Sequence, residues 1–106
     1  MKQTLNQSHM LDQNGNPAGG TTLGKGIEIR WQNGPLGRGE HREEPNGAFV
    51  EGVIQAALDR LQFYQSSKFK CRENELASSN LREALRWLQQ RTENREARGT
   101  EGTHEI

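Results

Sequence analysis

Between Val50 and Leu88 the apolar residues recur at helical spacing on two stretches, and only the short run QSSK (65–68) interrupts them. Val50, Val53, Ile54, Ala57, Leu61 and Tyr64 share one side at about 100° per residue. Asn74, Ala77, Leu81, Ala84, Leu85 and Leu88 share a face on the second stretch. A link that short forces two helices to fold back on each other, so the spacing predicts an antiparallel hairpin. Pro45-Asn46-Gly47 opens the first helix with Asn46 as its N-cap, which gives a span of 46–66. The second helix is expected over 70–98, ending at Gly99, with residues 99–106 as a C-terminal tail.

Ahead of the helices the pattern changes. GIEIRW alternates, with Ile27, Ile29 and Trp31 on one face and Glu28 and Arg30 on the other, bounded by Gly26 and the Asn33-Gly34-Pro35 turn. Residues 26–45 therefore supply a strand and turns. A strand needs a partner, which Thr21–Gly24 or Leu36–His41 would provide. Residues 1–25, rich in Gly, Asn, Gln and Thr, read as a flexible N-terminal arm. The expected fold class is α+β, a small N-terminal β-strand region followed by the two-helix hairpin.

Composition limits what this fold can do alone. Leu, Ile, Val and Phe make up fewer than one residue in five, close to the level at which chains stay disordered. The charges nevertheless balance, 14 basic against 14 acidic, which is unlike a disordered chain. A core so thin predicts association into a homodimer or higher homo-oligomer. Neutrality argues against DNA as a partner but leaves room for a small anion held by local arginines. One cysteine, Cys71, excludes an internal disulfide framework and suits a reducing compartment. At a helix start it reads as a buried thiol with no catalytic partner. No apolar run is long enough to span a membrane, and no secretion pattern opens the chain, so a cytoplasmic location is expected.

Gly19-x-x-x-x-Gly24-Lys25 imitates a phosphate loop, but Gly26 stands where a Ser or Thr would hold magnesium, and a strand follows instead of a helix. His9, His41 and His104 lack ligand spacing, so no metal is expected. There is no paired acid and base. The sequence does not read as an enzyme, and it implies no cofactor.

Two features break the hairpin pattern. With Leu81 at zero, Leu88 falls near 340°, Arg95 near 320° and Arg91 near 280°, at about 100° per residue. Arg95 thus continues the leucine stripe and Arg91 borders it. Either the helix outruns its partner and its last turns are solvated, complementing the dipole, or the arginines end the core as a basic pocket for phosphate. At the opposite end Tyr64 and Asn74 also sit at core phase. Either they finish helix ends, or they offer a ring for a base and an amide for its polar edge or ribose.

The motifs IEIRWQNGPLGRG, DRLQFYQSSKFKCREN and ALRWLQQRTENREARGTEGTH, in that order from about Gly26 to His104, resemble the phage anti-Thoeris sponge family. The hairpin half also resembles a phage anti-CBASS protein that shares the two-helix element. The resemblance implies a non-enzymatic protein, acting in the cytoplasm of the infected bacterial host. It would sequester cyclic ADP-ribose isomers or other cyclic nucleotides, including cyclic di- or trinucleotides. Under it Tyr64 is the ligand-binding aromatic, Asn74 the binding asparagine, Arg91 and Arg95 the pocket arginines, and Arg38 a further basic contact from the turn region. Asn74 and Arg91 lie 17 positions apart, about 25 Å along one helix. That is too far for one small ligand, so a head-to-tail two-fold dimer with two shared pockets is expected. The alternative from another class is a helical-hairpin module that binds or assembles proteins.

Overall fold

The structure is a computed structural model that describes residues 2–106. Two compact units make it up: the chain up to Phe49 together with Gly99–Ile106, and the stretch Val50–Arg98.

The first unit is built on a three-stranded antiparallel sheet, β1 (Asn6–Leu11), β2 (Pro17–Gly24) and β3 (Ile27–Asn33), in sequential order. The strand read from GIEIRW is β3, and the partner at Thr21–Gly24 is the end of β2. The flexible arm expected over 1–25 is instead most of this sheet. Its strands escape a reading by apolar alternation because their contacts are polar. The Trp31 indole Nε1–H donates to Thr22 Oγ1 at 2.8 Å, and the Thr22 hydroxyl donates to Gln7 Oε1 at 3.0 Å, joining all three strands. Thr22 is only 4% exposed, so these bonds satisfy a hydroxyl that burial would otherwise penalise. Gly20 sits where a Cβ would strike the Ser8 carbonyl, so β1 and β2 approach through a residue without a side chain.

The turns are local chemistry. Asp12 accepts from the Asn16 and Asn14 amides at 3.0 and 2.8 Å, closing the β1–β2 turn, and those donors hold its carboxyl below the usual range. The β2–β3 turn is Lys25-Gly26, with Gly26 at φ +79. The stretch that imitated a phosphate loop is therefore strand and hairpin turn.

Asn46 does not cap a helix. Its Oδ1 accepts from the Asn33 amide at 2.8 Å and its Nδ2 donates to the Asn33 carbonyl at 2.9 Å, so the side chain acts as a strand partner at the end of β3. Ala48 then pairs with the same edge. These bonds hold a bend at 46–47 and a bridge at Ala48 against β3, and the first helix begins at Val50, not at 46. The C-terminal segment packs within this unit: Gly37 N–H donates to the Gly102 carbonyl, and Arg42 grips the Glu101 carboxylate through both terminal nitrogens at 2.7 and 2.8 Å.

The second unit is the expected antiparallel hairpin, α1 (Val50–Gln65) and α2 (Arg72–Ala97). The seam is rotated from the expected stripe. Leu58, outside that stripe, is the buried apolar residue at 4% exposure, whereas Val50 and Ala57 are exposed. Opposite, Ser78 is buried among half-buried Asn74, Leu81, Ala84, Leu85 and Leu88. The Gln65 side chain brackets the link, donating to the Cys71 carbonyl and accepting from its amide, both at 3.0 Å. No helix among the described residues is long and apolar enough to cross a membrane.

Candidate functional site

The hairpin has two chemically distinct ends. At the link, Tyr64 lies in the last turn of α1 and Asn74 in the first turn of α2, both half-buried. Cys71 is the N-cap of α2, its sulfur accepting from the Asn74 amide at 3.4 Å. Cys71 stands just ahead of the helix, but it is exposed and not buried as expected, because a side chain capping the open end of a helix sits outside the seam.

Tyr64 is not bare. Arg60, one turn earlier, donates from Nε to the Tyr64 hydroxyl at 3.2 Å. Its guanidinium carbon lies 5.0 Å from the Tyr64 ring centroid and 4.8 Å from that of Phe63. The two rings are 6.0 Å apart and tilted by 53°. Arg60 and Phe63 went unread in the sequence because neither lies on the apolar stripe; the signal available was the four-residue spacing between Arg60 and Tyr64, which stacks side chains along a helix.

The other end is basic. The 26 residues of α2 against 16 in α1 amount to about 39 against 24 Å at 1.5 Å per residue. Glu51 and Gly52 of α1 line the same groove as Leu85 and Gln89 of α2, so α2 runs on for more than a turn past the start of α1. Arg91 and Arg95 occupy that overhang, the first exposed and the second half-buried. With α2 unbroken, the separation of about 25 Å between Asn74 and Arg91 holds. Two clefts of about 440 and 540 Å³ flank the hairpin, and neither is lined by Tyr64, Asn74, Arg91 or Arg95.

Arg38 belongs to the sheet unit. It is exposed and donates from Nη1 to the Glu101 carbonyl at 2.8 Å. The hairpin thus pairs Tyr64 with Asn74 at one end and Arg91 with Arg95 at the other, and it brings neither pair to the other. No three His, Cys, Asp or Glu side chains among the described residues gather as metal ligands would.

The sequence profile of a family described as "Acb2/Tad1, hairpin domain" matches residues 24–93. That stretch takes in Arg38, Tyr64, Asn74 and Arg91 and stops short of Arg95. The chain is also similar to Thoeris anti-defense 1 of Bacillus phage SBSphiJ7, with 48% identity over 82 residues, 77% of this chain. It spans about half of that curated relative's length, 55%. A match over most of the chain, across both helices and β3, settles its kinship: the protein belongs to the Acb2/Tad1 hairpin-domain family.

Proposed function

We propose that this protein is a phage anti-defence sponge that counters Thoeris immunity by binding a cyclic nucleotide messenger without degrading it. The ligand class is cyclic ADP-ribose isomers, with cyclic di- and trinucleotides as further candidates. Tyr64 stacks on a base, Asn74 bonds its polar edge or the ribose, and Arg91 and Arg95 neutralise phosphate through planar, bidentate donors. Arg38 adds a basic contact from the N–H groups that its bond to Glu101 leaves over. The name of the phage relative and the family match support this reading. No enzyme is needed: holding free ligand below an effector's threshold requires stoichiometric protein and a Kd in the nanomolar range, about −12 kcal/mol. The place of action is the cytoplasm of the infected host, where the messenger is made.

One observation carries the form of the site: a single unbroken α2 separates its aromatic–amide end from its arginine end. A ligand of nucleotide size reaches both only if two hairpins pack head-to-tail. The site then lies between chains of a homodimer, twice over by symmetry. Mixing Tyr64→Ala chains with Arg91→Ala chains under subunit exchange tests this. Each heterodimer has one doubly damaged pocket and one intact pocket, so binding of cyclic ADP-ribose returns at about half the parent's capacity within heterodimers. Exchange without recovery places the residues within one chain and overturns the shared site. Ligand recovered unchanged from the heated complex marks capture, and altered ligand marks an enzyme.

A second reading, a hairpin that binds or assembles proteins, draws on Phe63, Leu76 and Trp87, which are 57%, 47% and 59% exposed. It expects no affinity for any cyclic nucleotide.

A further inference from the structure

We infer that Arg60 is a positioning residue for the ligand: it clamps the Tyr64 ring from one face and leaves only the opposite face for a base. The inference rests on the reading of Tyr64 as the stacking platform. The clamp has two independent holds. The guanidinium lies over the ring, and its Nε–H is tied to the ring's own hydroxyl. A phenylalanine would keep the first and lose the second, so the tyrosine at this position gives Arg60 a defined seat.

The surroundings leave Arg60 free for this task. Among the described residues no carboxylate pairs with it; its neighbour Asp59 accepts from Gln55 instead. Phe63 forms the outer wall, its ring within cation–π range of the same guanidinium. Three planar groups, Phe63, Arg60 and Tyr64, thus stand together on α1. A ring held in one orientation loses less side-chain freedom on binding than one that swings. The cation also draws on the ring's electrons from the covered side. One ring face per chain admits one base per Tyr64, by stacking and not by insertion between two rings.

Tyr64 is the only tyrosine in the chain, so ring-labelled tyrosine reports on this clamp alone. The test compares the parent with Arg60→Gln, Tyr64→Phe, the double variant and Tyr64→Ala, by calorimetry with cyclic ADP-ribose and cyclic di-AMP and by the tyrosine signals of the unliganded proteins. Arg60→Gln is expected to shift the Tyr64 ring resonances and to weaken binding about fivefold. Tyr64→Phe weakens it by less, and the double variant falls no further than Arg60→Gln alone, because both changes remove the same clamp. If Arg60→Gln leaves the resonances and the affinity as in the parent while Tyr64→Ala loses binding, the ring works unclamped and the inference is overturned. If Tyr64→Ala binds like the parent, the platform itself is misplaced, and the site reading falls along with the clamp. Should Arg60→Gln lose its helical signal, Tyr64→Phe carries the test by affinity: unchanged binding there removes the hydroxyl's hold.

Discussion

Thr22 in the sheet unit and Leu58 in the hairpin are equally hidden from solvent, each 4% exposed, yet different forces hold them there. Thr22 is kept by a chain of hydrogen bonds from Trp31 through to Gln7, and the turns beside it by Asp12, Gln32 and Asn46 side chains bonded to backbone. Leu58 has no polar atom in its side chain and is held by burial in the helix seam. A polar scaffold fixes geometry because hydrogen bonds have directions; an apolar seam fixes adjacency but leaves helix surfaces available. The family resemblance assigns four of its five ligand contacts to the hairpin.

If the two units differ in this way, truncating each centre should give separable failures. The largest effect is expected for Leu58→Ala. Removing the seam's buried leucine side chain costs about 2–4 kcal/mol, seen as loss of helical signal in denaturant before the Trp31 environment changes. A simultaneous loss of both signals would mean that the sheet depends on the hairpin. Arg91→Ala and Tyr64→Ala come next, each weakening ligand binding at least tenfold, about 1.4 kcal/mol, with unchanged melting. Parent-like binding by both in calorimetry would move the pocket elsewhere. Thr22→Val keeps the shape but leaves the Trp31 N–H and the Gln7 amide without their shared partner, costing about 1 kcal/mol and reddening the emission associated with Trp31. No change would assign the sheet's stability to packing. The smallest effect concerns Asp12. Its lowered folded-state pKa gives a contribution present in full above the usual carboxylate value, about 4, and lost as pH falls through the lowered value. Asp12→Asn should therefore lower stability slightly at neutral pH and flatten the acid limb of the stability curve, so that variant and parent converge at low pH.

What the sequence discloses follows the same division. The hairpin was legible because burial in helices imposes a 3.6-residue period, and the arginine overhang because Arg91 and Arg95 broke that period at a definable place. The details failed where side chains act locally: Leu58 turned the seam by a fraction of a turn, and Cys71 became an exposed cap. β1 and most of β2 were illegible for a stronger reason. A strand satisfied by Gln7, Thr22 and glycine carries no apolar alternation, and its polar residues resemble those of a loop until their partners are known. Asn46 illustrates the ambiguity, since the amide that can cap a helix can equally complete a sheet edge. Of the candidate site, residue types were readable, while the clamp on Tyr64 needed the rotamer of Arg60.

The grip of Arg42 on Glu101 joins residues 59 positions apart, and that distance along the chain sets an order of events. Closing so long a loop from an unfolded chain is entropically costly, whereas a helical hairpin forms from neighbours in microseconds. Once α1 and α2 have zipped, most of the intervening chain is already condensed and the remaining search is short. On a ribosome the strands and both helices emerge before Glu101 does. The bond between Arg42 and Glu101 is thus made late, after the hairpin that lies between them in the chain has emerged and folded.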